Sequence, residues 1–407
     1  MRLIPLLFAT ALLTSIAHAE NWPRFRGPQG SGISEDKNIP VKIEKKHFQW
    51  TANLPGDGVS SPVVFGDKIF LTSMGKGEDE RCVVAVSAKD GKQLWKKAYD
   101  FTIHHKHRYN SFAASTPVCD AERVYVSWAD SEGRDVIALS HDGNEVWRKK
   151  VDDSYFAKHG SSASPILSEG VLIITNEKDE EGAFIVGLNP ATGDEKWKLE
   201  RGHEGHAPYN TPTEFLPVDS PPLLLFNSTE EGITAVHPSS GKVAWKFDAG
   251  FSSRCVASTS VAGEFIFAHA GQGGGGKQGV AIRSIGGATP DFAWDLNIRI
   301  PYVPTAIGYN GHFYMLKDNG TLNCVRASDG EVLWDERTVG EAYASPICVN
   351  GYLYCISRQG EMAVVKTGDK HEIVSKFDFD GPVNATPAIS NGKMFVRVGD
   401  KLHCIAK

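Results

Sequence analysis

The hexapeptide DGKQLW, Asp90 to Trp95, recurs along the chain, and that recurrence limits the fold more than any other property of the sequence. Versions of it end at Trp147 (DGNEVW), Trp197 (TGDEKW), Trp245 (SGKVAW) and Trp334 (DGEVLW), with a looser copy, ATPDFAW, at Trp294. Successive tryptophans stand 40 to 52 residues apart. Self-similarity at that period means that each unit is one supersecondary module whose apolar faces are buried by its neighbours. Within the phrase, Asp-Gly or Thr-Gly supplies the positive φ of a tight turn, and the alternating residues after it present the indole to one face of a strand.

Working back from each tryptophan completes the unit. Before Trp95 come the apolar run Cys82 to Ala88, then Ile69 to Ser73, then Ser60 to Gly66, which makes four short strands. Hairpin dipeptides mark the joints, most clearly Asn310-Gly311, Asn350-Gly351 and Asn391-Gly392. No stretch sustains the i, i+3, i+4, i+7 apolar spacing of a helix. Each first strand opens with a small residue beside a proline: Ser61-Pro62, Thr116-Pro117, Ser164-Pro165, Thr211-Pro212, Ser345-Pro346 and Thr386-Pro387, with degenerate copies at Val256 to Thr259 and Val303 to Thr305. That makes eight openings. After the first opening only seven closing strands follow, the last, near Ser375, without its tryptophan. The missing one is His47 to Trp50, ahead of the first opening. The expected fold is therefore all-β, an eight-bladed propeller of four-stranded antiparallel blades spanning 47–407, closed by an N-terminal strand that completes the last blade and removes exposed sheet edges. Trp50, Trp95, Trp147, Trp197, Trp245, Trp294 and Trp334 are its repeat tryptophans.

Residues 1–19 read as a cleaved secretory signal: Arg2, an apolar run, and Ala17-His18-Ala19 before Glu20. Export to the periplasm or the extracellular space follows, with no further stretch apolar enough to span a bilayer. Residues 20–46 form an extended segment in which Trp22 and Phe25 are expected to tether the chain to the propeller's outside, with Arg24 or Arg26 a minor candidate for a ligand contact. The seven cysteines sit in strand-like positions and read as buried small hydrophobes. Cys82, Cys324 and Cys404 are assigned to equivalent third-strand positions. A two-residue turn at Asn350-Gly351 pairs Cys348 with Leu353 and so disfavours a Cys348–Cys355 bridge. With 43 Lys and Arg against 49 Asp and Glu, interspersed, the net charge of −6 argues against nucleic acid or an anionic membrane as partner. A monomer is expected.

In a propeller, the connection from one blade's last strand to the next blade's first lies at one mouth of the central channel. Those connections hold the unusual polar residues: Asp57; His104, His105, His107, Arg108 and Asn110 in IHHKHRYN; His159; His203, His206, Tyr209 and Asn210 in GHEGHAPYN; Arg254; Tyr302; Glu341 and Tyr343; and Asn384. Topology gathers them into one ring, which makes the mouth the expected binding surface for a protein or a small molecule. Its histidines suit zinc or copper. No ligand spacing such as H-E-x-x-H is present, so no metal is assigned. The run Gly271 to Lys277 has the letters of a phosphate loop but precedes a strand and lacks the magnesium-holding hydroxyl, and reads as a hairpin. No nucleophile, base and orienter arrangement can be recognised, so catalytic residues stay unassigned.

The turn-and-tryptophan phrase with its small-Pro opening resembles the repeat of pyrroloquinoline quinone (PQQ) β-propellers, over about His47 to Lys407. That resemblance is shared by two kinds of protein, the PQQ-dependent alcohol dehydrogenases and the BamB-like scaffolds of outer-membrane barrel assembly. NWPRFRGPQGSGIS, HRYNSFAASTP and GGGGKQGVAIRSIGG are similar more narrowly to secreted PQQ-like repeat proteins of planctomycete bacteria. The first kind would imply PQQ with calcium. Its quinone lies between a tryptophan and a ring of two adjacent cysteines, with Glu, Asn and Asp on the metal. Here no two cysteines are adjacent, and every tryptophan but Trp22 and Trp128 belongs to an outer strand. For Trp128, in VYVSWAD, an outward face and the channel both stay open. The second kind would imply a protein-binding role, without the lipid-bearing cysteine that would hold it at a membrane.

Overall fold

The computed structural model describes residues 21–75, 79–202, 206–296 and 298–407. The signal-like residues 1–19 lie outside them. Eight sheets form one closed propeller. Blade 1 consists of Val63–Phe65, Lys68–Met74, Glu80–Ser87 and Gln93–Asp100, each hydrogen-bonded to the next in sequence order. Blades 2 to 7 repeat this order over 118–152, 166–200, 213–247, 260–296, 307–337 and 347–378. Blade 8 takes three strands from 388–406 and its fourth from Phe48–Asn53, which runs antiparallel to Lys401–Ala406 with Trp50 opposite Cys404. The ring is thus closed by the two ends of the domain. Asn310, Asn350 and Asn391 have φ of 46° to 50°, each followed by a glycine at 74° to 78°, the left-handed pair that a two-residue hairpin needs. Among the described residues helix is confined to two three-residue 3-10 turns.

The outer strands explain why the phrase repeats. In six of the seven repeat tryptophans the indole N–H donates to a carbonyl in the next blade: Trp95 to His141, Trp147 to Pro190, Trp197 to Pro238, Trp245 to Gly287, Trp294 to Ala327 and Trp334 to Gly368, all at 2.8–3.1 Å; the buried Trp50 N–H has no such partner. For Trp50, Trp95, Trp147, Trp197 and Trp294 the turn glycine of the next blade lies against the same ring. A Cβ on Gly143 would stand 2.8 Å from Trp95, and one on Gly241 would stand 2.5 Å from Trp197. The glycine therefore serves two ends at once, a left-handed turn and a seat for the preceding blade's tryptophan. Opposite each tryptophan the third strand carries a small residue: Ala85, Ala138, Gly187, Ala235, Ala281, Cys324 and Cys404. Blade 7 has Ser375 in place of tryptophan and, facing it, the larger Val364. Burying each ring is worth roughly 3 kcal/mol or more, which makes the seam a main source of cohesion.

This register corrects one expectation. Cys324 and Cys404 share the position opposite a tryptophan, but Cys82 faces Ala98, three residues upstream of Ala85 on a longer strand. All seven cysteines are free and buried, and Cys348 pairs with Leu353. Trp128 faces neither solvent nor channel. It packs in the apolar layer between blades 1 and 2, with its ring 5.4 Å from Tyr99.

The small residues at the blade openings form a second, inner belt. The N–H of Ser61 donates to Thr116 Oγ1, that of Thr116 to Ser164 Oγ, and that of Ser164 to Thr211 Oγ1, each at 3.0 Å. Ser258, Thr305, Ser345 and Thr386 continue the chain of donors, and Thr386 returns to Ser61 Oγ at 3.1 Å. At the remaining joint the bond is different: Ser258 Oγ donates to the Thr211 carbonyl at 2.6 Å. A hydroxyl adjoining a proline thus supplies the acceptor that the neighbouring blade's buried N–H would otherwise lack.

The extended segment lies in a place that composition did not suggest. Residues 22–34 do not run over the outside but cross beneath the channel on the face opposite the mouth, and the segment then continues to the outer strand of blade 7, where Val41 accepts from Ser375 Oγ. Trp22 is fully buried and exchanges both backbone hydrogen bonds with Val64 of blade 1. Pro23 accepts from Cys119 of blade 2, and Arg24 donates to the Pro212 carbonyl of blade 4. Arg26 reaches the carbonyls of Thr305, Ala306 and Pro346 in blades 6 and 7 as well as Gly30 and Ser31 of its own loop. Ile33–Ser34 then adds a short parallel strand to blade 7. Arg24 and Arg26 are buried and bonded to backbone, so the segment, including Phe25, is a floor and not a tether. Buried guanidinium groups suit this position because their forked donors can satisfy several carbonyls at once.

Candidate functional site

Above the belt lies a cavity of about 650 Å3, lined at its narrow end by Thr116, Ser164, Thr211, Ser258, Thr305, Ser345 and Thr386 and by Phe25. Residues from so many blades can meet only at the axis, so this is the central channel, and Phe25 in the strap below makes it blind. At its open end stand His107, Arg108, Tyr109, Asn110, His159, Tyr209, Tyr302, Tyr343 and Asn384, all from blade-to-blade connections. The hairpin between Phe265–Gly271 and Gly276–Arg283 reaches the same end through Gly273 and Gly274, which is where the phosphate-loop look-alike lies. A second cavity of about 770 Å3 adjoins it and shares Val59, Arg108, Tyr109, Asn110 and Asn384. Asp57, His104, His105, Lys106, Arg358 and Arg397 also face that compartment.

The loop from Phe101 to Phe112 shapes the rim. Phe101 and Phe112 close it at 4.9 Å between ring centres, with Arg81 stacked 4.0 Å from the Phe101 ring, while His104 packs on Phe112 and bonds the Thr102 carbonyl. Burial holds the His104 imidazole below its ordinary value, the Thr102 carbonyl acting in the opposite sense. The loop docks on the next connection through Asn110 Nδ2, which donates to the His159 carbonyl at 2.7 Å. Ring contacts continue around the rim, Tyr343 to Tyr109, Tyr109 to His107, His107 to His159 and His159 to Tyr209, with centres 5.5–6.0 Å apart. Burial, then the Arg254 charge and His107, push the His159 imidazole below its ordinary value.

Several expected site residues turn out to hold the loops in place. Arg254 is buried and donates to Asp179 Oδ1 at 3.1 Å, to the Ala207 carbonyl at 2.9 Å and to Tyr209 Oη at 3.3 Å. Asp179 also accepts the N–H groups of Lys158 and Ala207, so one carboxylate ties three successive connections. Burial opposes its charge, but those N–H groups and Arg254 hold its carboxyl below the ordinary value. Asn210 is buried as well and donates to the Asn227 carbonyl at 2.7 Å. Its side chain serves the fold. His206 is exposed and lines neither cavity, Glu341 lies outside the two linings as a partner of Arg358, and His203 falls outside the described residues. The structure therefore brings His104, His105, His107, Arg108, Asn110, His159, Tyr209 and Tyr302 to the two cavities and leaves His206, Asn210 and Arg254 out of them.

Sequence reasoning missed Lys106, Arg358, Arg397 and Phe25. Arg358 occupies the turn between the second and third strands of blade 7 and Arg397 the end of the second strand of blade 8, which reach the same face as the blade-to-blade connections. Phe25 precedes the repeats and carries no periodic signal.

The donor set does not suit PQQ with calcium. Among the described residues, the channel lining contains no carboxylate, indole or thiol, and no three His, Cys, Asp or Glu side chains converge where they could hold a metal ion. Calcium requires six to eight oxygen ligands with carboxylates among them.

A family pattern described as "Outer membrane protein assembly factor BamB" matches residues 79–290 and 318–406. BamB of Yersinia pestis is 22% identical over 337 residues, which cover 81% of this chain and 70% of that protein. Polyvinylalcohol dehydrogenase of a Pseudomonas species is 23% identical over 199 residues, 44% of this chain and 29% of that protein. Among solved structures, BamB from Moraxella catarrhalis superposes with a TM-score of 0.63 at 14% identity, covering 87% of this chain and 95% of that one. Quinohemoprotein alcohol dehydrogenase from Comamonas testosteroni gives 0.67 at 14% identity, covering 95% and 80%. At such identities these structures share the fold, and the fold alone.

Proposed function

The chain belongs to the PQQ_2 repeat family, and on that premise we propose that it is an exported, monomeric propeller acting as a binding scaffold, with a small molecule or a protein segment held at the channel mouth. The observation that carries this reading is the blind channel: strap and Phe25 close one end, while aromatic and polar residues from the connections surround the other. A concave, partly apolar site with convergent polar groups is the form that ligand recognition takes. Export rests on residues 1–19, removed to leave a mature chain whose described residues contain no helix long and apolar enough to cross a membrane. The interspersed charge supports neither a nucleic-acid nor a membrane partner.

The rival oxidoreductase reading is tested directly. Purified mature chain is incubated with PQQ and calcium and passed over a sizing column. The proposal expects no quinone absorbance at the protein peak and no dye reduction by alcohols or sugars; co-eluting quinone together with dye reduction would overturn it. A second reading, assembly of outer-membrane proteins, is supported by the family description and by a relative that matches most of the chain. It expects barrel precursors in pull-downs from cell envelopes, and their absence from the captured set discards it.

A further inference from the structure

The side compartment of the mouth carries a charge opposite to that of the protein. The whole chain has a net charge of −6, yet among the described residues the compartment is lined by Lys106, Arg108, Arg358 and Arg397 against Asp57 as its one carboxylate. Glu341, its side chain 66% exposed, stands 3.5 Å from Arg358 Nη1 at the rim. Arg397 directs its donors to Gly56, Ser60, Thr72, Ser73 and Gly399, four carbonyls and one hydroxyl, so its hydrogen bonds are met but its charge has no bonded counter-ion. Arg358 is arranged differently. Its guanidinium lies 4.0 Å from the Tyr109 ring and 4.7 Å from the Tyr343 ring, and its buried Nε has no hydrogen-bond partner. A planar cation packed against two adjoining rings, with a donor left over, is pre-organised to take an oxyanion in a fixed orientation.

From this we propose that the mouth binds an acidic saccharide, its carboxylate or sulfate group in the Arg358 compartment and its sugar rings extending into the channel. The proposal rests on the reading of the mouth as a binding site given above and narrows it to a ligand class. The channel half is walled by hydroxyl and amide groups next to ring edges: Ser162, Tyr302, Tyr343 and Asn384, whose buried Oδ1 has no partner. Such walls suit a ligand rich in hydroxyl groups. The basic lining of the cavity also draws an anion to the mouth, an effect that salt weakens.

Calorimetric titration of the mature chain with four probes tests this: tetragalacturonate, a sulfated tetrasaccharide, neutral maltotetraose and tetraglutamate. The expected result is that at least one acidic sugar binds about tenfold or more tightly than both maltotetraose and tetraglutamate, and that its affinity drops severalfold at about 0.5 M salt. The two acidic sugars together tell carboxylate from sulfate recognition. Arg358→Gln should lose about tenfold in affinity for the acidic sugar with an unchanged circular dichroism spectrum. Should that variant misfold, Lys106→Gln, on the rim loop, carries the same test with a smaller loss. Equal binding of maltotetraose, equal or tighter binding of tetraglutamate, full affinity in the folded variant, or no binding of any probe would each overturn the assignment. In the last case the scaffold reading still stands or falls on the PQQ and pull-down experiments, which use different ligands.

Discussion

Thr116→Val puts the inner belt to the test. Valine keeps the shape of threonine and leaves its backbone N–H on Ser164, so the change removes one atom of consequence: the hydroxyl oxygen that accepts the Ser61 N–H at 3.0 Å. Thr116 and Ser61 are both buried, 2% exposed each, so the orphaned donor has no ready exchange with bulk water. Leaving a buried donor unmet costs about 1–3 kcal/mol, more than the net worth of an average hydrogen bond. With about 2 cal/mol/K of unfolding entropy per residue over a chain of this size, that loss lowers Tm by roughly 1–4 °C. Urea titration followed by tryptophan fluorescence measures the first quantity and calorimetry the second. Thr116→Ser, which keeps the oxygen and loses only a methyl, should retain most of the stability. If valine is as stable as the parent within about 0.5 kcal/mol, or if serine loses as much as valine, the belt is not held by its hydroxyls and the reasoning fails.

Three further outcomes follow from the same structure. Gly143→Ala places a Cβ 2.8 Å from the Trp95 ring at a residue with φ of 85°, so stability should fall by roughly 2–4 kcal/mol in denaturant titration, from backbone strain plus overpacking. Arg26→Met takes the donor from five carbonyls beneath the channel, of which Ala306 keeps the Ser260 hydroxyl. A loss of at least about 3 kcal/mol is expected, with no rescue by Arg26→Lys, because one ammonium cannot reach them all. His269 is buried, and burial pushes its imidazole down to about 4, the Pro301 carbonyl opposing weakly. The unfolded chain then binds this proton first, so stability should decline as pH falls from about 6.5 toward 4, by up to about 3 kcal/mol. A pH series of melts should show that component reduced in His269→Phe.

Blade number and ring closure were legible before any coordinates, because both depend on local chemistry that repeats. A left-handed turn demands glycine or asparagine, and a strand's two faces alternate every second residue, so Asp142-Gly143 and Trp147 announce their own geometry. The location of the mouth was legible too, since topology alone sends every blade-to-blade connection there. The belt was visible only as a spelling, a small residue beside a proline, because its purpose depends on a partner about 40 to 55 residues away.

What the tertiary structure alone decided is which polar side chains turn toward the cavities. Arg254 and Arg358 look alike as letters in loops, but Asp179 captures the first, while Tyr109 and Tyr343 hold the second with a donor to spare. Phe25 closes the channel only because Arg24 and Arg26 find carbonyls in blades 4, 6 and 7. Strand and turn are set by a residue's neighbours in the chain. The direction of a loop side chain is set by charges and hydrogen-bonding groups that become neighbours only when the ring closes.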